Sequence, residues 1–244
     1  MRIPRIYQPA PLSTGQIIEL DAQAAAHLTR VLRLKTGDDL VVFNGEGGEY
    51  RATVESVERR SASIKIGKFV DRNVESPLEL ILVQGVSRGE RMDYTVQKAV
   101  ELGVSRIVPV LTERTVVNIK GDRQQRRRDH WQSVANSACE QCSRTIVPEV
   151  SPVVSLQDWL SISKEGTRLV LHHRADAGQM GSLNPQGPIS LLVGPEGGLS
   201  SSEIEAAVSI GYLPLSLGPR VLRTETAAVT ALSVLQWVWG DLNG

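Results

Sequence analysis

The sequence predicts an α/β protein in two parts: a small β-rich domain over residues 1–72, then a larger domain with a mostly parallel sheet over residues 73–244. Two observations carry this. The texture of the chain changes near residue 75. Before that point apolar and polar residues alternate in short runs. After it, continuous apolar runs alternate with helical patterns, as buried strands covered on both faces require.

In the first part, "DDLVVFNGEGGEYRATVESVERRSASIKIGKFV" alternates apolar and polar residues around a Gly-rich turn. That pattern reads as antiparallel strands. One helix is expected over "DAQAAAHLTRVLRL", where Ala24, His27, Leu28, Val31 and Leu32 fall at helical spacing. The expectation is a small β-barrel with one helix. In the second part, strands are expected at "LELILVQG", "RIVPVLT", "TRLVLHH", "ISLLVGP" and "LPLSLGP". Helices are expected at "RMDYTVQKAVELG", "RRDHWQSVANSACEQC", "SLQDWLSIS", "SSEIEAAVSIG" and "ETAAVTALSVLQWVWG". Ligands of such sheets bind outside the carboxyl ends of the strands.

The totals exclude several classes. At 244 residues the chain has room for a substantial core without disulfides. No apolar run has the length of a membrane span. The start "MRIPRIYQP" has no apolar segment of the kind a secretory signal needs, so a cytoplasmic location is expected. The two cysteines, Cys139 and Cys142, form "CEQC" within a helical pattern. A zinc site needs about four ligands, and no second cysteine pair exists, so packing is the expected role and no metal is expected. Net charge is zero, but residues 1–150 carry twenty-two basic and nineteen acidic side chains, against five and eight in residues 151–244. The basic surplus therefore sits in the first 150 residues.

Two strands end in the same way. In "LLVGPEGGLSSSEIEAA" the apolar run stops at Gly194-Pro195, and Ser200 with Glu203 has the spacing of a capping box. A helix therefore starts near Ser200, and "GPEGGL" is a loop at a strand's carboxyl end. In "LGPRVLRTETAAVTAL", Gly218-Pro219 halts a second strand, and Thr224 is expected to cap the last helix. Neither loop continues into Gly-Lys-Ser/Thr, and neither is a G-x-G-x-x-G turn, so phosphate cradling and dinucleotides fit poorly. Two such loops side by side make either ordinary turns or a pocket walled by backbone. That wall suits an adenine edge and an apolar sulfonium arm.

These two motifs closely resemble the C-terminal signature of the ribosomal small-subunit RNA methyltransferases of the SPOUT superfamily, which methylate uridine N3 in 16S rRNA. "SRGERMDYTVQKAVELGV" and "ACEQCSRTIVPEV" are similar to that family's middle motifs. "MRIPRIY" and "HLTRVLR" are similar to its N-terminal PUA-like RNA-binding domain. The resemblance implies a trefoil-knotted sheet, S-adenosylmethionine as cofactor, 16S rRNA or the small subunit as partner, and a homodimer.

On that resemblance, cofactor contacts are expected from Val193, Gly194, Glu196, Gly198, Leu217, Gly218 and Leu222, with Leu171 and His172 at the preceding strand end. The His172-His173 pair is more simply read as hydrogen-bonded structure. Methylation at uridine N3 needs a proton removed, the negative charge stabilised and N3 held in line. Arg220 and Arg223 are candidates for the stabilising donors. Glu196, Glu225 or water are candidates for the proton acceptor, with an ion pair to a nearby arginine as the alternative role of Glu225. RNA contacts are expected from Arg2 and Arg5 in the N-terminal arm and from Arg30 and Arg33, which are three apart on the first helix. Arg88, Arg91 and Lys98 around the next helix, and Arg126 and Arg127 in "RQQRRRDHW", complete the set. A non-catalytic RNA-binding ribosome-assembly factor is the main alternative, and a nucleotide-dependent oxidoreductase a weaker one. The two Gly-Pro loops argue against the first and the missing G-x-G-x-x-G against the second.

Overall fold

The computed structural model describes residues 3–59, 61–117, 121–162, 165–173 and 183–244. The chain divides into two compact units. The first comprises the residues up to Glu75 together with Asn136–Val147, and the second Ser76–Ala135 with Pro148–Gly244.

The first unit is a five-stranded sheet with one helical segment. Its strands are β1 (Arg5–Tyr7), β2 (Ile17–Glu19), β3 (Asp39–Phe43), β4 (Glu49–Val57) and β5 (Ala62–Val70), in the order β1-β3-β4-β5-β2. β1 runs parallel to β3 and the other pairs are antiparallel. Among the described residues the strand path expected to form a barrel runs from β1 to β2 without these two end strands pairing with each other. Alternation places Leu40, Val42, Val54, Ile64 and Ile66 in one core with Ile6 and Leu28.

The helix departs from expectation. Asp21 caps α1 (Ala22–Ala26) by accepting from the N–H groups of Gln23 and Ala24. The chain then widens into a π-helical turn, His27–Leu32, that ends on Arg33 in a left-handed conformation, φ 54°. The Thr29 hydroxyl donates to the Ala25 carbonyl, and the Arg33 N–H reaches back to the Leu28 carbonyl. The wider turn carries Leu28, Leu32 and Leu34 onto the core. Arg30 and Arg33 therefore do not share a face by ordinary three-residue helical spacing.

The sequence boundary at residue 72 also misses a piece of this unit. α3 (Asp122–Cys142) belongs to it from Asn136 onward. Glu75 accepts from Arg144 Nε at 2.7 Å and from the N–H groups of Thr145 and Ile146 at 3.0 and 3.2 Å. Glu140 accepts from the Tyr7 N–H at 2.9 Å and meets His27 Nδ1 at 3.0 Å. Cys139 is buried, and burial pushes its thiol up to about 12, which suits a packing role for this residue.

The second unit is a parallel sheet covered by helices. Its elements are β6 (Leu80–Gly85), α2 (Glu90–Glu101), β7 (Arg106–Leu111), the start of α3, β8 (Glu149–Val150), β9 (Val154–Ser155), α4 (Leu156–Ile162), β10 (Thr167–Leu171), β11 (Ile189–Val193), α5 (Ser201–Ser209), β12 (Leu213–Leu215) and α6 (Thr224–Trp239). Strand order is β12-β10-β11-β6-β7-β8, with β9 beside β7, and every pair is parallel. β6 and β11 are buried along their whole length, which explains why they read as unbroken apolar runs. On one face Val83, Val108 and Leu192 pack with Trp159. α2 and α6 pack against each other, and α6 also packs on β11. β12 is the outermost strand, beyond β10, yet the chain then returns past β10 to α6 on β11. The two-residue strands β8 and β9 are too short to carry a period and were invisible to pattern reading.

Replacing Glu75 by Ala removes the carboxylate from Arg144, which is 6% exposed. The expected cost is about 3 kcal/mol, the usual penalty for stripping one partner from a buried pair. Urea unfolding of Glu75→Ala against the parent protein measures it.

Candidate active site

Three strand ends and two loops build the site. β11 ends at Val193, and the chain turns at Gly194-Pro195 because β6 ends alongside in Gly85. A Cβ on Gly85 would lie 2.5 Å from the Pro195 ring, so the two strand ends approach as closely as backbone permits. A Cβ on Gly194 would lie 2.8 Å from the Gly198 carbonyl carbon and the Leu199 nitrogen, so the loop is folded tightly on itself. Gly198 has φ 70°, the left-handed region that favours glycine.

The capping box closes the loop as the sequence predicts. Ser200 Oγ accepts from the Glu203 N–H, and Glu203 Oε2 accepts from the Ser200 N–H at 2.8 Å. Glu203 Oε1 also accepts from the Glu113 N–H at 2.7 Å, which anchors the loop after β7. From there Arg114 Nη1 donates to the Gly197 carbonyl at 3.0 Å. The second loop follows β12 and turns at Gly218, φ 91°.

Thr224 departs from its expected capping role. The N-cap of α6 is Arg223, with no side-chain capping bond, and Thr224 is the first helical residue. Its hydroxyl instead donates to the Gly194 carbonyl at 2.6 Å. Gln84 Nε2 donates to Thr224 Oγ1 at 3.1 Å and lies 3.0 Å from the Gly85 carbonyl.

Between the loops lies a cavity of about 370 Å³, within the range of roughly 300–1,000 Å³ usual for small-molecule sites. All nine expected cofactor residues line it: Leu171, His172, Val193, Gly194, Glu196, Gly198, Leu217, Gly218 and Leu222. Arg220 lines it too. Arg223 and Glu225 do not. Sequence reasoning missed Arg114, Leu199, Ser201, Ile204, Val221, Thr224 and Ala227 in the wall. Ser201, Ile204 and Ala227 were legible as the first turns of helices beginning at the loops. Arg114 was not, because it reaches the site from a loop with no pattern of its own.

Glu196 is held rather than free. Its Oε1 accepts from the Arg88 N–H at 2.8 Å and from Arg91 Nη1 at 3.1 Å. Burial pushes its carboxyl up, but the N–H groups of Arg88 and of Glu196 itself, with the Arg91 guanidinium, more than offset this and hold it below the usual carboxylate range. Arg91 Nε also lies 4.0 Å from Glu225 Oε1, so Glu225 pairs with an arginine, the alternative role considered for it. Each of these glutamates keeps a second oxygen, Oε2, buried without a hydrogen bond.

The expected RNA-contacting side chains separate into groups. Arg30, Arg33, Arg88, Arg91, Arg126 and Arg127 are exposed. Lys98 is half-buried and pairs with Glu101 at 2.7 Å. Arg5 corrects the expectation: it is 8% exposed, pairs with Glu49 and donates to the Arg144 carbonyl at 3.0 Å. A side chain spent on the core in this way is not presented to RNA. Arg2 lies outside the described residues. Among the described residues no group of three or more His, Cys, Asp or Glu could hold a metal ion.

The cavity suits a molecule with an apolar planar part and a charged arm. Leu171, Val193, Leu199, Leu217 and Leu222 supply the apolar wall, and Arg114, Glu196 and Arg220 the charge. A Cβ at Gly198 or Gly218 would meet nothing within 4 Å, so backbone there is left bare. S-adenosylmethionine meets these demands.

Residues 74–236 match the RNA methyltransferase domain family, and residues 20–67 the RNA methyltransferase PUA domain. A ribosomal RNA small subunit methyltransferase E from Buchnera aphidicola is 33% identical over 243 residues, covering 99% of this chain and 96% of that protein. The chain belongs to the ribosomal RNA small subunit methyltransferase E family. A Bacillus subtilis member is 30% identical and covers 89% of each chain. Two solved structures are similar along nearly the whole length. A member of the family from Neisseria gonorrhoeae, bound to S-adenosylmethionine, is 37% identical with TM-score 0.92, covering 98% of this chain and 99% of that one. A putative methyltransferase from Legionella pneumophila, also with S-adenosylmethionine, is 42% identical with TM-score 0.96, covering 99% and 100%. The methyltransferase E fold and its PUA-type domain were thus both legible in the motifs.

Gly85→Ala forces Pro195 to move. Calorimetric titration with S-adenosylmethionine is expected to show affinity at least about fivefold weaker, since backbone displacement of this kind costs about 1 kcal/mol or more. Glu196 has a depressed folded-state pKa, so its stabilisation is present above the unfolded value of 4.5 and is lost as pH falls through the folded one. The parent protein is therefore expected to exceed Glu196→Gln in urea midpoint near neutrality and to lose that margin on acidification below 4.5. A margin that grows on acidification contradicts the assignment.

Proposed function

We propose that the protein transfers the methyl group of S-adenosylmethionine to N3 of a uridine in 16S rRNA of the small ribosomal subunit. The observation that carries this is the backbone-walled cavity between two Gly-Pro loops, with Arg220 in its wall. Family membership supports S-adenosylmethionine-dependent methylation of small-subunit rRNA, and uridine N3 is the finer step of the reading.

Bound in the cavity, the cofactor supplies an electrophilic methyl on a sulfonium. The protein's share is to hold uracil, exclude water and stabilise charge. When N3 loses its proton, negative charge spreads over N3, O2 and O4. Arg220 is exposed at the cavity and supplies guanidinium donors for those oxygens. Glu196 is a poor proton acceptor, because its lowered pKa and its bonds to the Arg88 N–H and Arg91 favour the carboxylate as it stands. Glu225 is tied to the same arginine. The two acids position Arg91, and the proton passes to water.

The exposed arginines Arg88, Arg91, Arg123, Arg126 and Arg127 of the second unit, and Arg30 and Arg33 of the first, suit phosphate contacts. Trp237 at 61% and Val221 at 81% exposure leave apolar surface on α6 and the second loop, which suits self-association as a homodimer. We further propose that the reaction takes place in the cytoplasm.

Incubation with labelled S-adenosylmethionine and small subunits, followed by nucleoside analysis, is expected to yield 3-methyluridine. Arg220→Ala is expected to lower kcat about a hundredfold, the usual loss of one oxyanion donor. Methyl found on another atom, or full activity in Arg220→Ala, overturns the assignment.

A further inference from the structure

We propose that Thr224, backed by Gln84, is a positioning residue for cofactor binding, whose hydroxyl fixes the gap between the two Gly-Pro loops. The inference rests on the cavity being the S-adenosylmethionine site.

Gly194 opens the first loop, and Thr224 directly follows the second. The 2.6 Å bond between them therefore spans the rim of the cavity. Its polarity is set by Gln84, which is fully buried. Gln84 Nε2 faces three acceptors: the Gly85 carbonyl at 3.0 Å, Thr224 Oγ1 at 3.1 Å and the Gly194 carbonyl at 3.3 Å. Turning the amide over would set its oxygen against two carbonyls. Thr224 Oγ1 thus accepts from Gln84 and gives its own proton to Gly194. The Gly194 carbonyl is drawn toward Gln84, a residue of the sheet interior that is not part of the cavity wall.

This arrangement is costly as architecture alone. Gln84 Oε1 is buried without a hydrogen bond, and an unmet buried acceptor destabilises a fold. An apolar side chain in place of Gln84 avoids that cost but loses the tie. The loop also has no slack toward β6, where a Cβ on Gly85 would fall 2.9 Å from the Gly194 carbonyl carbon. With one side fixed by β6, the Thr224 bond decides how far the second loop stands from the first. That gap is the slot for a flat ligand, and its width matters equally to every ligand sharing the nucleoside.

The test uses the full-length protein with Thr224→Val, which is close to isosteric but lacks the hydroxyl, and Thr224→Ser, which keeps it. Thr224→Ala replaces the valine variant if that one does not fold. Titration calorimetry with S-adenosylmethionine and with S-adenosylhomocysteine is paired with KM, kcat and Tm. Thr224→Val is expected to weaken both ligands by the same factor, roughly tenfold, the loss typical of one buried hydrogen bond with an unpaired partner. KM for the cofactor rises in step, kcat stays within about threefold because the reacting groups are untouched, and Thr224→Ser restores parent values. A lowered Tm with parent affinities reduces Thr224 to a structural residue and overturns the proposal. So does a serine variant as weak as the valine one, which assigns the effect to packing. Failure of the parent protein to bind either ligand overturns the cofactor reading itself, and the proposal with it.

Discussion

The close approach of Gly85 to Gly194-Pro195 is the constraint on which the site depends. β6 and β11 are paired through five residues, from Ile189 beside Leu80 to Val193 beside Gln84. Both strands are buried, so neither can slide or tilt without opening the core. The chain beyond β11 must therefore leave sideways, and the absence of a side chain at Gly85 is what lets it do so. The glycines and the proline that looked like a tight connection in the sequence are that, and the tight connection is also the wall of the cavity. Turn and binding site are one feature seen from two sides.

What was legible follows from how local each signal is. Parallel strands buried on both faces produce unbroken apolar runs, and helices produce their own period, so the second unit could be read almost element by element. The capping box at Ser200 and Glu203 was legible because its two residues are three apart. Thr224 had the right identity and nearly the right place for a cap. Its partner, Gly194, is thirty positions away, and no spacing rule spans that distance. Arg114 and the π-helical turn were hidden for related reasons. The former reaches the cavity through tertiary structure, and the latter obeys a core that draws in Leu32 and Leu34 together.

Charge followed the same division. Runs of arginine were correctly found, but a run does not say which members face water. Arg5 and Arg144 are drawn into the first unit by Glu49 and Glu75. Arg91 is shared by two acids beside the cavity. Two of the carboxylates that neutralise an arginine also fix a piece of backbone: Glu75 binds the N–H groups of Thr145 and Ile146, and Glu196 binds that of Arg88. The acids act as staples between segments far apart in sequence. That role holds the Glu196 carboxyl below the usual carboxylate range.

The first unit is not a continuous stretch of chain. Asn136–Val147 packs into it, with Glu140 against Tyr7 and His27, and Arg144 against Glu75. During synthesis the amino-terminal strands emerge long before those partners exist. Until Val147 clears the ribosome, Glu75 has no Arg144 to bind and Tyr7 no Glu140. The small domain therefore reaches its final form only after β6, α2 and β7 have been made. A gene fragment that stops at the apparent domain boundary would encode an unfinished domain.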